Sequence, residues 1–337
     1  IITNKESYLK LKRKKISYKI NIFNDFKQMN KIFKNKIDYV MSSISGLEGL
    51  RPTIEIIKHT NTIAIANKET IICGWHLLNK ELKKNKTQFI PVDSEHFSIH
   101  YAIKNISISN IETVYITASG GPFNSLSLKK FKKIKVSDAL KHPSWKMGKK
   151  ISIDSSSLMN KLLEYIEAQK LFGLPKQKLD ILIHPESLVH AVIKFKDGLT
   201  KFIYHDTSMV IPIANAIFDK QLEIKEFIKN KSEIKSLTFR IPNKNNFPII
   251  GLLNRVTEHP STPIIINASN EVLVDHFLRK KVPFLAIPNI IKKILCDRNY
   301  TKYAIRNPRN LNQIKTINSW ARLKTIEKIK KIYDKNY

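Results

Sequence analysis

Two acidic side chains follow a short apolar segment in the first third of the chain. Residues 89–92 are apolar, and Asp93 and Glu95 come directly after them in the stretch PVDSEH. If the strand continues through this stretch, the two carboxylates point to the same face. Carboxylates this close repel unless a cation lies between them, and oxygen ligands suit Mg²⁺ or Mn²⁺. The spacing therefore indicates a divalent metal site, although solvated acids or pairing with lysine would also explain it.

A strongly patterned segment over residues 153–172 predicts a helix that carries further polar groups. Asn160 and Glu164 are four residues apart on one helical face, and Lys161 lies beside them. Serines 155–157 stand at the expected start of this helix, where they either cap it or help its free N–H groups to bind a phosphate. The helix is thus expected to add a third metal ligand and an anion contact.

Three shorter motifs carry residues that suit a ligand pocket. Ser119 opens the stretch SGGPF, whose glycines allow the backbone to approach a ligand closely. The stretch HPSWKMG reads as a loop, and its Trp145 suits either a lid over a pocket or ordinary packing. Lys68 follows an apolar segment expected to be a buried strand, so its ammonium group either reaches solvent or belongs to the site.

The elements that would position these groups alternate between strand and helix. Strands over residues 37–44, 61–70 and 87–96, with helices between them, are typical of an open parallel α/β sheet. A further strand over residues 111–119, a strand and a hairpin over 179–206, and amphipathic helices after residue 266 complete the pattern. A strand over 16–23 and a short helix after it are expected near the start. The fold class is α/β, with a partial Rossmann-like parallel sheet, an α+β domain with a flexible lid loop, and a C-terminal helical bundle.

The composition is strongly basic, with 59 Lys and Arg against 28 Asp and Glu. Such a balance suits an anionic partner, but the basic residues are spread evenly and do not alternate with aromatic ones as in nucleic-acid binders. Compositional drift is the favoured explanation. Cys73 and Cys296 form neither a disulfide framework nor a zinc motif, which indicates a reducing, cytoplasmic location. No apolar run suits a membrane helix or a signal peptide, and the absence of an initial Met suggests a trimmed or incomplete product.

Several of these motifs occur together in a known order. The chain resembles the 1-deoxy-D-xylulose 5-phosphate reductoisomerase family, and the resemblance is carried by ANKE, PVDSEH, SGGPF, HPSWKMGKKIS, MNKLLEYIEA and LIHPES in the family's order and spacing, from about residue 38 to residue 330. The motif NASNE, from residue 267, fits the family's C-terminal helical domain. The resemblance implies a cytoplasmic homodimer that rearranges and reduces 1-deoxy-D-xylulose 5-phosphate to 2-C-methyl-D-erythritol 4-phosphate. It also implies a divalent metal and NADPH, with neither nucleic acid nor a membrane as partner.

The resemblance also implies residue roles and a division into domains. Metal ligands would be Asp93, Glu95 and Glu164, which with Lys68 and His142 form the catalytic group. Residues in contact with the sugar phosphate would be Lys68, Ser94, Glu95, Ser119, His142, Ser155, Asn160, Lys161 and Glu164. Lid residues would be Trp145 and Met147, and positions touching NADPH would be Asn67, Glu69 and Gly148. The parts would be a truncated or diverged dinucleotide-binding domain over 1–110, a catalytic domain over 111–240 with its lid at 141–150, and a linker with the helical domain over 241–337.

The chain departs from the family pattern at several points. The family's G-x-T-G-S-I-G loop is not found, and residues 1–37 contain no glycine, so NADPH binding is the least supported expectation. Leu162 stands where the family has glycine and is expected to crowd the phosphate pocket. Thr207 and Ser208 replace a common Pro-Asp pair. The alternatives are therefore a decayed or incomplete member without reductase activity, or a basic nucleic-acid-binding protein.

Overall fold

Three parallel strands form the first sheet. In the computed structural model, which describes residues 5–14, 22–145, 147–218 and 236–333, two short helices, α1 (Lys5–Arg13) and α2 (Met29–Ile32), precede it. The strands are β1 (Ile37–Ser42), β2 (Thr60–Ile65) and β3 (Gln88–Pro91), adjacent in that order. The crossover helices are α3 (Leu50–Ile57) and α4 (Lys68–Asn85). This confirms the strand–helix alternation, because a parallel pair needs a crossover between its strands.

The expected first strand cannot be compared in full. Residues 15–21 lie outside the described residues, and residues 22–23, at the end of the expected segment, are irregular. The short helix expected after it is present as α2, preceded by a 3₁₀ turn at Phe26–Gln28.

A second, mixed sheet follows the first. Its strands β4 (Ile111–Ala118), β5 (Leu179–Ile183), β6 (Val189–Phe195) and β7 (Thr200–Tyr204) have the order β5-β4-β6-β7. β4 is parallel to β5, whereas β4–β6 and β6–β7 are antiparallel. Helix α5 (Ser94–Ala102) links the sheets. Between β4 and β5 lie α6 (Leu128–Phe131), α7 (Val136–Ala139), α8 (Lys149–Ser156) and α9 (Met159–Phe172).

Two sequence expectations about local structure are wrong. The helix expected from residue 153 is two helices, α8 and α9, because Leu158 between them adopts a left-handed conformation with φ of 63°. That conformation is unfavourable for a leucine, but its side chain is 2% exposed, so tertiary packing fixes it. The serines therefore end α8 and do not begin α9. The strand expected through Asp93 also stops early, at Pro91, and Asp93 immediately precedes α5.

The described part of the chain after β7 is helical, and the helices predicted after residue 266 are present. Its elements are α10 (Val210–Ile217), α11 (Thr262–Leu278), α12 (Ala286–Leu295), α13 (Tyr300–Ala304) and α14 (Leu311–Tyr333). Buried apolar side chains from both sheets and from helices α11 to α14 form the main cluster, which extends from Leu50 to Ile329, and a small second cluster joins Ala64, Val92 and Ala216 of α10. Among the described residues, no helix combines the length and apolar character that crossing a membrane requires.

Candidate active site

The polar residues singled out in the sequence surround one cavity. It has a volume of about 580 Å³ and lies at the carboxyl ends of β1, β2 and β3, where open α/β sheets bind ligands. Its wall includes the following candidate residues: Asn67, Lys68, Glu69, Asp93, Ser94, Glu95, Ser119, His142, Trp145, Met147, Gly148, Ser155, Asn160, Lys161 and Glu164. The fold thus brings together side chains that are up to 97 positions apart in the sequence.

Three carboxylates converge on one side of the cavity. Asp93, Glu95 and Glu164 each offer an oxygen, and these oxygens lie within 4.8 Å of one another. The sequence suggested that Asp93 and Glu95 share one face of a strand, and this prediction is wrong. Asp93 is instead the residue before α5 and Glu95 lies in its first turn, while Glu164 comes from the middle of α9. Hard oxygen donors in this arrangement suit Mg²⁺ or Mn²⁺.

Two lysines partly balance these acids. The Nζ atom of Lys68 lies 2.7 Å from Asp93 Oδ2 and 3.1 Å from Glu164 Oε1, and it donates to Asn160 Oδ1 at 2.9 Å. The Nζ atom of Lys161 lies 2.6 Å from Glu95 Oε1 and also contacts Glu164. The contacts bring α4, α5 and α9 to a single charged centre.

The ionisation behaviour of the carboxylates differs within this centre. Burial, and next the neighbouring Glu95 carboxylate, raise the pKa of Glu164 to about 7, although Lys161 and Lys68 oppose them. Burial would also raise the pKa of Glu95, but Lys161 outweighs it and holds that pKa well below its usual range. Burial disfavours the charged form of Lys68, yet its carboxylate neighbours raise its pKa well above the ordinary value. Lys161 alone therefore does not keep both glutamates charged.

His142 and Ser119 form a second polar group across the cavity. The Nδ1 atom of His142 accepts hydrogen bonds from the backbone N–H groups of Ser144, at 3.1 Å, and Trp145, at 2.9 Å. The neutral ring therefore carries its proton on Nε2, which donates to Ser119 Oγ at 3.0 Å. Ser119 Oγ also accepts from the Gly121 N–H at 3.0 Å. With both acceptor sites used, the Ser119 hydroxyl can give its own proton to a ligand oxygen.

The expected lid loop packs over this group. The indole ring of Trp145 meets the imidazole of His190 edge-on, with centroids 6.0 Å apart. His190 in turn stacks on His205, with centroids 3.7 Å apart and an interplanar angle of 7°. Ser187 Oγ donates to Ser144 Oγ at 3.4 Å, which gives the loop a second attachment. Sequence reasoning did not single out the two histidines, because neither belongs to a local motif with a recognisable spacing.

Comparisons with known proteins agree along the whole chain. The model for 1-deoxy-D-xylulose 5-phosphate reductoisomerase matches residues 1–74, and models for the C-terminal domains of the same enzyme match residues 89–172 and 206–324. A 1-deoxy-D-xylulose 5-phosphate reductoisomerase of Pelagibacter ubique is 48% identical over 330 residues, covering 96% of this chain and 84% of that protein. The chain belongs to the 1-deoxy-D-xylulose 5-phosphate reductoisomerase family. The enzyme of the same name from Clostridium tetani is 38% identical over 308 residues.

Solved structures of the family have the same fold. The reductoisomerase from Zymomonas mobilis in complex with NADPH superposes with a TM-score of 0.77 at 32% identity, covering 87% of this chain and 75% of that one. A reductoisomerase in complex with NADPH, fosmidomycin and magnesium gives a TM-score of 0.81, also at 32% identity, with coverages of 87% and 76%. The α/β fold class is therefore confirmed.

Two expectations based on departures from the reductoisomerase pattern can now be compared with the structure. Leu162 was expected to crowd the phosphate pocket, but its fully buried side chain belongs to the hydrophobic core and does not line the cavity. Thr207 and Ser208 lie in the irregular segment before α10, and the neighbouring Met209 does line the cavity.

The residues that the resemblance led us to expect near NADPH also have structural roles. The side chain of Asn67 caps α4, since its Oδ1 accepts from the Thr70 N–H at 3.0 Å and its Nδ2 donates to Gly46 O at 2.8 Å. Glu69 pairs with Lys150 at 3.1 Å, and Gly148 immediately precedes α8. Both amide hydrogens of Asn67 are engaged, by the Ile44 and Gly46 carbonyls, and its Oδ1 keeps one acceptor site for a ligand.

Sequence reasoning also missed four buried or half-buried residues around the cavity. His96 and Glu167 lie behind the carboxylates, with His96 Nε2 donating to the Glu164 carbonyl at 2.9 Å. Lys150 and Asp154 line the cavity and pair at 3.0 Å. The helical spacing of Glu167 from Glu164, and of Asp154 from Lys150, is a signal that could have found two of them.

Proposed function

We propose that this chain catalyses the metal-dependent rearrangement and NADPH-dependent reduction of 1-deoxy-D-xylulose 5-phosphate to 2-C-methyl-D-erythritol 4-phosphate. The single observation that carries the proposal is the group of three carboxylate oxygens within 4.8 Å of one another, in a cavity that also exposes two lysines and a hydroxyl donor. Membership of the reductoisomerase family supports the same reaction.

The donor set fits a divalent cation. Asp93, Glu95 and Glu164 would hold the ion, because these acids, with Glu167 behind them, outnumber the two lysines in contact with them. Such an ion supplies polarisation of a ketone oxygen and stabilisation of negative charge during the rearrangement. Once the carboxylates are engaged by a cation, the ammonium groups of Lys68 and Lys161 become available for anionic oxygens of the substrate.

The remaining residues bind and orient the sugar phosphate. Ser119 offers a free hydroxyl proton, and His142 fixes its orientation through the Nε2–H bond. Ser155 and Asn160 lie on the same wall, near the break between α8 and α9, with Ser94 beside Glu95. Trp145 and Met147 would cover the bound substrate and exclude water from it.

NADPH would supply the hydride that reduces the rearranged aldehyde. Ser43, Ser45 and Asn67 line the cavity beyond the ends of β1 and β2, which is where a dinucleotide lies in this sheet type. Glu69 and Gly148 line the same cavity. These residues of the cavity wall would contact the cofactor.

We also propose that the chain is a cytoplasmic homodimer with the three domains given by the residue ranges 1–110, 111–240 and 241–337. Strand β7 is an edge of the second sheet. Leu199, directly before it, is 67% exposed, and Phe202 within it is 49% exposed. Tyr101 on the neighbouring α5 is 64% exposed. An apolar sheet edge of this kind suits pairing with a second copy. Sedimentation equilibrium would yield twice the chain mass, and a monomer would contradict this assembly.

A direct assay tests the catalytic proposal. The full chain is mixed with 1-deoxy-D-xylulose 5-phosphate, NADPH and Mn²⁺ or Mg²⁺, and NADPH absorbance is followed. We expect oxidation only when all three components are present, and we expect a chelator to stop it. NADPH oxidation that continues in the presence of the chelator would contradict the metal assignment. If no oxidation occurs at any metal concentration, the chain is better explained as a family member without reductase activity.

A further inference from the structure

The NASNE motif places polar side chains inside the protein. Asn267, Ser269 and Asn270 lie on α11 and are fully buried where this helix packs against α4, α8 and α14. Among the described residues, Asn267 Oδ1, Ser269 Oγ and Asn270 Oδ1 have no hydrogen-bond partner. Burying polar atoms without partners costs stability, or requires internal water molecules. Packing alone therefore does not explain why α11 carries amides at these positions.

Asn270 begins a chain of contacts that leads out of the C-terminal helices. Its Nδ2 group donates to Asp154 Oδ1 at 2.7 Å, and Asp154 is 1% exposed. The other oxygen of Asp154, Oδ2, pairs with Lys150 Nζ at 3.0 Å, and Lys150 Nζ also lies 3.1 Å from Glu69 Oε1. One hydrogen-bonded network thus joins α11, α8 and α4.

Asp154, Lys150 and Glu69 of this network line the cavity, whereas Asn270 lies behind them. Asp154 directly precedes Ser155, and Glu69 directly follows Lys68, which contacts Asp93. The opposite side of the Ser155 turn is also held, because a Cβ on Gly121 would lie only 3.1 Å from the Ser155 carbonyl oxygen. The turn is therefore fixed between the SGGPF loop and the Asp154 carboxylate.

We infer that Asn270 is a positioning residue for the active cavity. Asn270 holds the Asp154 carboxylate and thereby fixes the last turn of α8, which contains Ser155. Through Lys150 and Glu69, the same contacts hold the start of α8, just after the lid loop, next to α4. This inference rests on the proposed function of Ser155 as a ligand of the sugar phosphate. The C-terminal helical domain would then influence substrate binding through Asp154, although Asn270 itself does not contact the substrate.

The test compares two substitutions of Asn270 with a matched control. Asn270→Ala removes the side chain and Asn270→Leu fills a similar volume without the amide, so that at least one variant should fold. Asn318 on α14 is also a buried asparagine, and its Oδ1 has no partner among the described residues. Asn318→Ala therefore reports the general cost of removing a buried amide from these helices.

We expect both Asn270 variants to raise the KM for 1-deoxy-D-xylulose 5-phosphate about tenfold while kcat changes less than about twofold, as loss of ground-state binding predicts. Asn318→Ala should lower the melting temperature but leave KM unchanged. In a double-mutant cycle, Asp154→Asn and Asn270→Ala should have strongly non-additive effects on KM. A folded Asn270 variant with the KM of the parent protein would overturn the inference.

A second readout separates this inference from the proposed reaction. Titration with inorganic phosphate, followed by isothermal titration calorimetry, measures occupancy of the cavity without turnover. Weaker phosphate binding in both Asn270 variants, but not in Asn318→Ala, supports the positioning role even if the parent protein fails to oxidise NADPH. Equal phosphate binding in all variants would contradict it, whatever the result of the activity assay.

Discussion

The buried carboxylates of the cavity and the buried carboxylate of Asp297 differ in how far neighbouring lysines balance their charge. Asp297, 6% exposed at the side chain, has two lysines of α14 within reach, Lys324 at 3.5 Å and Lys328 at 3.2 Å. In the cavity, four acids share the ammonium groups of Lys68 and Lys161. Glu327 also pairs with Lys324, at 2.8 Å, so the Asp297 centre has two acids for two lysines, whereas the cavity has four acids for two lysines.

The pKa directions follow this difference. Burial opposes ionisation of Asp297, but the Asn299 N–H and the two lysines outweigh it and lower its pKa. Burial raises the pKa of Glu164 to about 7 because the available lysines do not compensate. A carboxylate that serves the fold is thus neutralised by the protein itself, whereas the acids of the cavity leave charge for a bound cation to neutralise.

Removing a proposed metal ligand should have the largest effect. Glu164→Gln keeps the size of the side chain but removes one oxygen donor and its charge, and we expect activity to fall by about 1000-fold or more, because the bound cation supplies several kcal/mol of charge stabilisation. Asp297→Asn is the matched control and should retain activity within about twofold. NADPH oxidation at saturating Mn²⁺ measures both, and near-normal activity of Glu164→Gln would remove the distinction between the two centres.

Replacing a lysine of the cavity should affect stability strongly. Lys161→Met leaves Glu95 without its buried counter-charge and Glu164 with Lys68 alone, and breaking such a pair costs about 3–5 kcal/mol of unfolding free energy. Lys194→Met, at an exposed pair with Glu112, should cost less than about 1 kcal/mol. Urea unfolding in the presence of a chelator gives both values, and equal costs would show that the buried acids do not depend on Lys161.

Metal binding should stabilise the folded protein through the same centre. At a concentration 100 times the dissociation constant, a ligand that binds only the folded state adds about 2.7 kcal/mol. We expect Mn²⁺ to raise the melting temperature of the parent protein and of Asp297→Asn, but not that of Glu164→Gln. Removal of the metal by a chelator should reverse the increase, and an identical increase in Glu164→Gln would place the binding site elsewhere.

The smallest effect should be seen at Asp297 itself. Because its pKa is lowered on folding, the carboxylate stabilises the protein above the unfolded pKa of about 3.9, and this stability is lost as pH falls through the folded value. Asp297→Asn should therefore cost about 1–3 kcal/mol near pH 7, with the difference from the parent protein shrinking below about pH 4. Urea unfolding over this pH range provides the test; a pH-independent difference would assign the cost to packing.

Local patterns were sufficient for most elements of the fold. The alternation of apolar segments and helices predicted β1 to β3 and the helices between them, because buried parallel strands are continuously apolar. Local sequence patterns were not sufficient where tertiary packing overrides the secondary structure that a segment prefers by itself. Leu158 continues a helical pattern in sequence, yet its buried side chain and left-handed backbone divide that pattern into α8 and α9. Propensity alone does not contain this information, since it arises from contacts with distant residues.

The sequence by itself determined which chemistry this protein offers, because Asp93, Glu95 and Glu164 are oxygen ligands wherever the chain places them. The order and spacing of six motifs, two of which contain these acids, also indicated the family. Only the tertiary structure decided which charges meet, such as Lys68 with Glu164, 96 positions apart, and Asn270 with Asp154, 116 positions apart. Those pairings depend on helix packing over long sequence distances, and it is their incomplete charge balance, not the residue types, that singles out one group of acids as the place for a cation.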